Sequence, residues 1–200
     1  MEKKNISRTQ IINTALNLMR NKNDLRAVNL REIARTLGCA HTNIYNYFSS
    51  YTDLLWETHT ALQEVFMDFL QQNLSAVTTP DMMLRTFFDT FLQFYLSNTG
   101  WFRLAWLEYI GNERPEINVT ATEKVRNELN QYIIDIWKEL TGKTPYTNTV
   151  NRVMHNTHCY IVGEVSNYIS GRRLIDDELD FKEYVVEQAI DILTLCLQEE

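Results

Sequence analysis

Three cysteines, Cys39, Cys159 and Cys196, are too few and too far apart for a disulfide framework, and none forms a CxxC pair. No stretch approaches the about 18 consecutive apolar residues of a membrane-spanning helix. The opening MEKKNISRTQ leads into IINTALNLM, where Asn13, Thr14 and Asn17 interrupt the apolar residues. That is a poor secretory signal, and a cytoplasmic protein without a membrane partner is expected. HExxH, GxSxG, a glycine-rich phosphate loop and clustered carboxylates are all missing. The expectation is therefore a non-enzyme with no catalytic residue, no bound metal and no cofactor. Six glycines and three prolines are few, and most fall where a helical pattern breaks.

What is present is ordinary for a globular chain of 200 residues, 44% hydrophobic and 22% charged. The net charge of −7 conceals a split. Residues 1–56 carry eight basic and four acidic side chains, whereas the remainder carries eleven basic and twenty-two acidic. A small basic end on an acidic body is suited to meeting a polyanion.

Helical spacing recurs from end to end, and no segment alternates long enough for a strand. Ser7-x-x-Gln10 predicts a capping box before an apolar face of Ile11, Ala15, Leu18 and Met19. Asn29 opens a second helix that Gly38 ends, and a short helix follows from about His41 to Phe48. Ser50-x-x-Asp53 begins a long helix to about Leu74, and Thr79-Pro80 begins another to about Leu96. Further helices are predicted at about 101–110, from a Thr120 cap to Thr141, and at about 147–170 and 180–198. The reading is an all-α protein of eight or nine helices. Residues 1–56 are expected to form a small basic module, and residues 57–200 a larger helical domain.

The segment NLREIARTLGCAHTNIYNYF has the spacing of a helix-turn-helix, with its tight turn at Leu37-Gly38-Cys39. In such a motif the second helix enters the major groove and offers its first residues to base edges. His41, Thr42, Asn43 and Asn46 are polar groups suited to that role, while Ile44, Phe48 and in part Tyr45 pack inward. Tyr47 is placed to reach a phosphate, and Arg31 supplies a charge that contacts backbone without reading sequence.

Residues Ile11–Leu16, Leu30-Arg31-Glu32-Ile33-Ala34, Leu37-Gly38, Ile44-Tyr45, Tyr47-Phe48 and Asp53-Leu54-Leu55 resemble the N-terminal module of TetR-type transcriptional regulators. The resemblance covers about residues 7–56. It implies a homodimeric repressor on a palindromic double-stranded DNA operator, released by a small molecule bound in the C-terminal domain. Two positions depart from the family's pattern. Ala40 replaces the usual Ser or Thr cap of the recognition helix, and Tyr51 replaces a lysine that contacts phosphate. The tyrosine hydroxyl could bond a phosphate but releases no counterion, so charge would come from Lys3, Lys4, Arg8 and Arg31.

Nine of the chain's aromatic residues crowd into positions 87–109. Core packing accounts for many of them, yet aromatic walls also suit a cavity for a small apolar or aromatic effector. The residues assigned to it are Phe87, Phe91, Tyr95, Trp101, Phe102, Trp106 and Tyr109. The last two helices bear broad apolar faces that suggest burial on two sides, and Val153, Ile161, Val165, Tyr184, Val185 and Ile192 are assigned to a dimer interface. His155 and His158, three apart, keep a haem- or metal-sensing regulator open as an alternative. A helical interaction protein without DNA binding is the other.

Overall fold

In a computed structural model, which describes residues 6–111 and 113–198, the described residues are helical with no strand. Eight α-helices follow in order: α1 (Arg8–Met19), α2 (Leu30–Leu37), α3 (Tyr51–Ser75), α4 (Pro80–Leu96), α5 (Thr99–Phe102), α6 (Glu116–Thr141), α7 (Thr147–Ile169) and α8 (Glu178–Gln198). Lys3 and Lys4 lie outside the described residues.

Local chemistry sets the ends. The Ser7 hydroxyl accepts from the Gln10 amide at 3.1 Å, and the Gln10 side chain accepts from the Ser7 amide at 2.9 Å, the capping box read from the sequence. Asn29 caps α2 by accepting from the Arg31 and Glu32 amides. Gly38 ends that helix at φ +71°, a left-handed conformation that glycine adopts without a Cβ penalty. Two boundaries differ from expectation. α6 starts at Glu116 rather than after Thr120, because the Pro115 carbonyl takes the amides of Asn118 and Val119. The expected helix at 101–110 is the single turn α5, continued by a wider π-type turn over Arg103–Leu107.

The chain forms two compact units. The first unit comprises residues 1–65 and 97–122, the second 66–96 and 123–200. Helices α3 and α6 therefore each contribute to both.

In the first unit Ile11, Ala15, Leu16 and Met19 of α1 meet Ile33 and Ala34 of α2, with Ile44, Phe48, Leu54 and Leu55 completing a small buried core. α5 lies against α1, where the Gly100 amide donates to the Arg20 carbonyl at 3.0 Å and the Trp101 indole donates to the Leu16 carbonyl at 2.8 Å. In the second unit α4, α7 and α8 pack together, with Phe88 and Leu92 of α4 buried alongside Val153, Ile161, Val165, Val185 and Leu193. Phe66 of α3 sits among aromatic rings of α4, its ring centroid 5.6 Å from Phe91, 5.3 Å from Phe94 and 5.9 Å from Tyr95.

Candidate nucleic-acid interface and apolar cavity

The segment after Gly38 is His41–Asn46, a 3₁₀ helix rather than the α-helix expected to Phe48. Ala40 precedes it and offers no side-chain oxygen to the first amides, and the Asn43 and Tyr47 amides close i→i+3 turns on the Ala40 and Ile44 carbonyls at 2.9 Å. With three residues per turn, side chains three apart eclipse. Ile44 is fully buried and Tyr47 partly so, which turns that side to the core, while His41 at the open end of the same column stays exposed. Thr42 and Tyr45 make a second column and Asn43 and Asn46 a third. Thr42, Tyr45 and Asn46 are exposed and Asn43 is partly so. Tyr45 is 53% exposed, more outward than its assignment as a partly inward residue. His41 at the start of the segment and Arg31 and Arg35 on α2 are exposed as well.

Two tyrosines expected to touch phosphate are turned inward. The Tyr47 hydroxyl donates to the Ile6 carbonyl, and the Tyr51 hydroxyl donates to the Val28 carbonyl. Burial first, then the nearby Glu108 carboxylate, pushes the Tyr51 phenol up to about 12. Each hydroxyl thus donates to a main-chain acceptor within the module, and a phosphate would have to compete with that acceptor. Arg8 is likewise committed. Its guanidinium pairs with Glu57 on α3, donates to the Tyr47 carbonyl at 2.6 Å and lies 4.5 Å from the centroid of the Phe48 ring. This clamp ties α1, the end of the 3₁₀ segment and α3 together, and no sequence pattern pointed to it because its members lie about forty to fifty residues apart.

A second network fastens α3 to the start of α6. Asn118 Nδ2 lies 3.0 Å from His59 Nδ1 and donates to Thr60 Oγ1 at 2.7 Å, while Arg114 Nε donates to Asn118 Oδ1 at 2.6 Å. Burial, and secondarily the Arg114 charge, lowers the His59 pKa to about 4.

The aromatic cluster is divided between the two units. Phe87 and Phe91 line an apolar cavity of the second unit with Phe66, Phe88, Met154 and His158. The cavity holds only about 20 Å³, roughly the room of one water. Tyr95 is buried in the same unit, stacked on Phe66, but is not a wall. Trp101 and Phe102 belong to the first unit and are buried there, Trp106 is half-exposed and Tyr109 is 70% exposed. Three of the seven assigned residues thus lie in the second unit and four in the first. The chain leaves the second unit at Ser97, and α5 carries the later aromatics onto α1. Trp101→Phe should then lower folding stability by about 1–3 kcal/mol, because the Leu16 carbonyl loses its donor. Urea denaturation checks this, and unchanged stability would count against the contact.

The dimer assignment also needs correction. Val153, Ile161, Val165 and Val185 are at most 3% exposed within the single chain, so they are core and not interface. Their apolar periodicity is spent on α4 and on the α7–α8 contact. Tyr184 is 47% exposed, Ile192 is partly exposed, and Leu195, which the sequence reading passed over, is 66% exposed on the same side of α8. His155 and His158 do not converge. His158 is turned onto Phe91, with ring centroids 5.0 Å apart, and His155 is exposed.

A helix-turn-helix module joined to a helical companion unit is the architecture these contacts define. No family model matches the chain. The fold is that of TetR-family regulators. A TetR-family regulator of Streptomyces coelicolor superposes with a TM-score of 0.69 at 16% identity, over 96% of this chain and 82% of that one. FadR of Bacillus subtilis, solved in complex with stearoyl-CoA, gives 0.63 at 15% identity over 96% and 98%. A regulator of Cytophaga hutchinsonii gives 0.64 at 16% identity over 96% of each. In sequence, an uncharacterised helix-turn-helix-type transcriptional regulator of Haemophilus influenzae is 25% identical over 130 residues. That match spans 64% of this chain and 63% of the relative's length. Among the described residues no helix is long and apolar enough to cross a membrane.

Proposed function

We propose that this protein is a DNA-binding transcriptional regulator acting as a homodimer, a repressor that a small apolar effector releases from a nearly palindromic operator. The observation that carries this reading is the outward set His41, Thr42, Tyr45 and Asn46, with Asn43 partly exposed, on a segment whose inner side is locked to the module core through Ile44. The basic balance of residues 1–56, the TetR-type fold and the helix-turn-helix relative all support it. Two-fold symmetry would set the half-sites about one helical turn apart. The exposed side of α8 at Tyr184, Ile192 and Leu195 is the apolar surface a second copy would cover.

An apolar effector is favoured by the walls of the second unit's cavity, where Phe66, Phe87, Phe88, Phe91 and Met154 surround a single imidazole. Burial lowers the His158 pKa to about 4, so that ring is neutral and offers a hydrogen bond without a charge. The acyl-CoA on the similarly folded FadR is consistent with a ligand having a long apolar part. A space of about 20 Å³ admits no such ligand until the aromatic walls part. The cost of parting them gives the effector a preference for a second arrangement, and such a preference is what lets a ligand shift DNA affinity, by about 1–3 kcal/mol in typical cases.

Selection from random duplexes followed by fluorescence anisotropy tests the reading. Asn43→Ala and Asn46→Ala should each relax preference at one or two base pairs, by about 1–3 kcal/mol. Arg31→Ala should weaken all sequences alike and flatten the salt dependence by about one unit of slope. No duplex selected, or selectivity untouched by both asparagine changes, would overturn the interface.

A further inference from the structure

His155 and Cys159 sit one turn apart on α7, both exposed, with Cys159 Sγ 3.7 Å from His155 Nε2. A tetrahedral zinc ion, with Zn–S about 2.3 Å and Zn–N about 2.0–2.1 Å, holds its sulfur and nitrogen ligands about 3.6 Å apart. The pair is therefore set at the edge length of a zinc tetrahedron without any side-chain rearrangement. Thiolate with imidazole is also the donor set that selects zinc over harder cations.

Among the described residues no cluster of three histidine, cysteine or acidic side chains could hold a metal, so one chain offers half a site. The face of α7 that carries the pair is suited to receiving the other half. The buried residues Val150, Val153, Met154, Thr157, Ile161 and Val165 occupy one side of the helix. His155, Cys159, Gly163 and Ser166 project on the opposite side, within about 80° of one another at 100° per residue. Beyond Cys159 that face carries only small groups. A Cβ on Gly163 would meet nothing within 4 Å, so in the single chain the glycine relieves no contact. A glycine inside a helix is less favourable than alanine, and close approach of a second backbone would explain its presence.

We propose that His155 and Cys159 form a zinc half-site, and that two copies of α7 meeting across the dimer axis complete a Cys₂His₂ tetrahedron. Four protein ligands leave no open coordination position, so the ion is structural and clamps the two chains together. Each thiol gives up its proton to solvent on binding, and the imidazoles bind neutral. The site rests on the homodimer reading of the preceding section, and it differs from the His155–His158 alternative left open by the sequence because His158 is turned into the cavity.

The test uses the reduced, metal-stripped full chain titrated with zinc alone. Stoichiometry is read by calorimetry and mass by sedimentation, before and after metal. One zinc per two chains is expected, on a species of dimer mass. Cobalt in place of zinc should show a thiolate-to-metal charge-transfer band. His155→Ala and Cys159→Ser each remove a primary ligand and should weaken binding on the order of 100-fold or more, beyond the 10–100-fold that losing an outer-shell partner costs. Both positions are exposed, so both variants should fold. Cys39→Ser and Cys196→Ser should bind as the unaltered chain does. A metal-free dimer that takes up no zinc, or one that takes up one zinc per chain regardless of Cys159, overturns the site and leaves the homodimer standing. A metal-free monomer that zinc converts to a dimer sustains the site and overturns metal-independent dimerisation. A monomer with or without zinc overturns both.

Discussion

Replacing Gly100 by alanine is expected to destabilise the first unit severely, at or beyond the upper end of the about 1–3 kcal/mol typical of overpacking. A Cβ at this position would lie 1.8 Å from the Met19 carbonyl oxygen, 2.8 Å from the Lys22 amide nitrogen and 3.0 Å from the Met19 carbonyl carbon. All three are main-chain atoms at the end of α1, so no side-chain rotation can make room. Relief would require α5 to lift from α1. The Gly100 amide would then lose its bond to the Arg20 carbonyl, and the Trp101 indole its bond to the Leu16 carbonyl. Guanidinium or urea unfolding of Gly100→Ala measures the loss, and a variant as stable as the unaltered chain would show that α1 and α5 do not cross this closely. The same variant should bind a selected operator weakly, since α1 also carries the Arg8 clamp on the Tyr47 carbonyl.

Stability should also fall as the solution is acidified, through two histidines that are neutral in the folded chain. His59 and His158 are both held at about 4 against an ordinary 6.5, in each case chiefly by burial. The Arg114 charge adds to the effect at His59, against an opposing hydrogen bond at Ala105, and the neighbouring His155 adds to it at His158. A histidine whose folded pKa is depressed favours the folded state fully only above its unfolded pKa. As pH falls below about 6.5 the unfolded chain binds a proton that the folded chain refuses, and the loss grows until about pH 4. Each residue should therefore remove about 2 kcal/mol between about pH 7 and pH 5. Unfolding midpoints measured across that range should shift downward, and His59→Gln or His158→Gln should each remove about half of the slope. A flat profile from pH 7 to pH 5 would show that neither ring is held neutral. The two residues reach this condition by different routes. His59 is enclosed by polar partners, Asn118 among them, whereas His158 lies against Phe91 in an apolar cavity.

Helix ends were largely legible in the sequence because they depend on near neighbours. The Ser7–Gln10 capping box, the Asn29 cap, the Gly38 terminus and the Thr79-Pro80 start all involve groups within about four residues, and side-chain chemistry at that range is nearly independent of the rest of the chain. The buried set of the helix-turn-helix was legible for the same kind of reason, since apolar spacing defines a face whatever it packs on. The limits of that logic show in the last two helices. Periodicity marked Val153, Ile161, Val165 and Val185 as a face but carried no information on whether α4 or a second copy covers it.

What the sequence by itself determined was the all-α class, the position of the short helical segment after Gly38 and the polar character of its outward residues. Each follows from propensity, spacing and charge along a short stretch of chain. Only the tertiary structure decided which groups remain available. Tyr47 and Tyr51 read as phosphate ligands until Ile6 and Val28 take their hydroxyls, and Arg8 read as a free cation until Glu57 takes its charge. Seven aromatics between positions 87 and 109 read as the lining of one cavity, and the fold assigns three of them to the second unit and four to the first. Spacing offered His155 and His158 as an alternative metal pair, although the sulfur nearest His155 in space is that of Cys159. The physical reason is common to all of these. A polar or aromatic group is worth its function only where nothing nearer has satisfied it, and the groups that satisfy it are brought up by folding from tens of residues away.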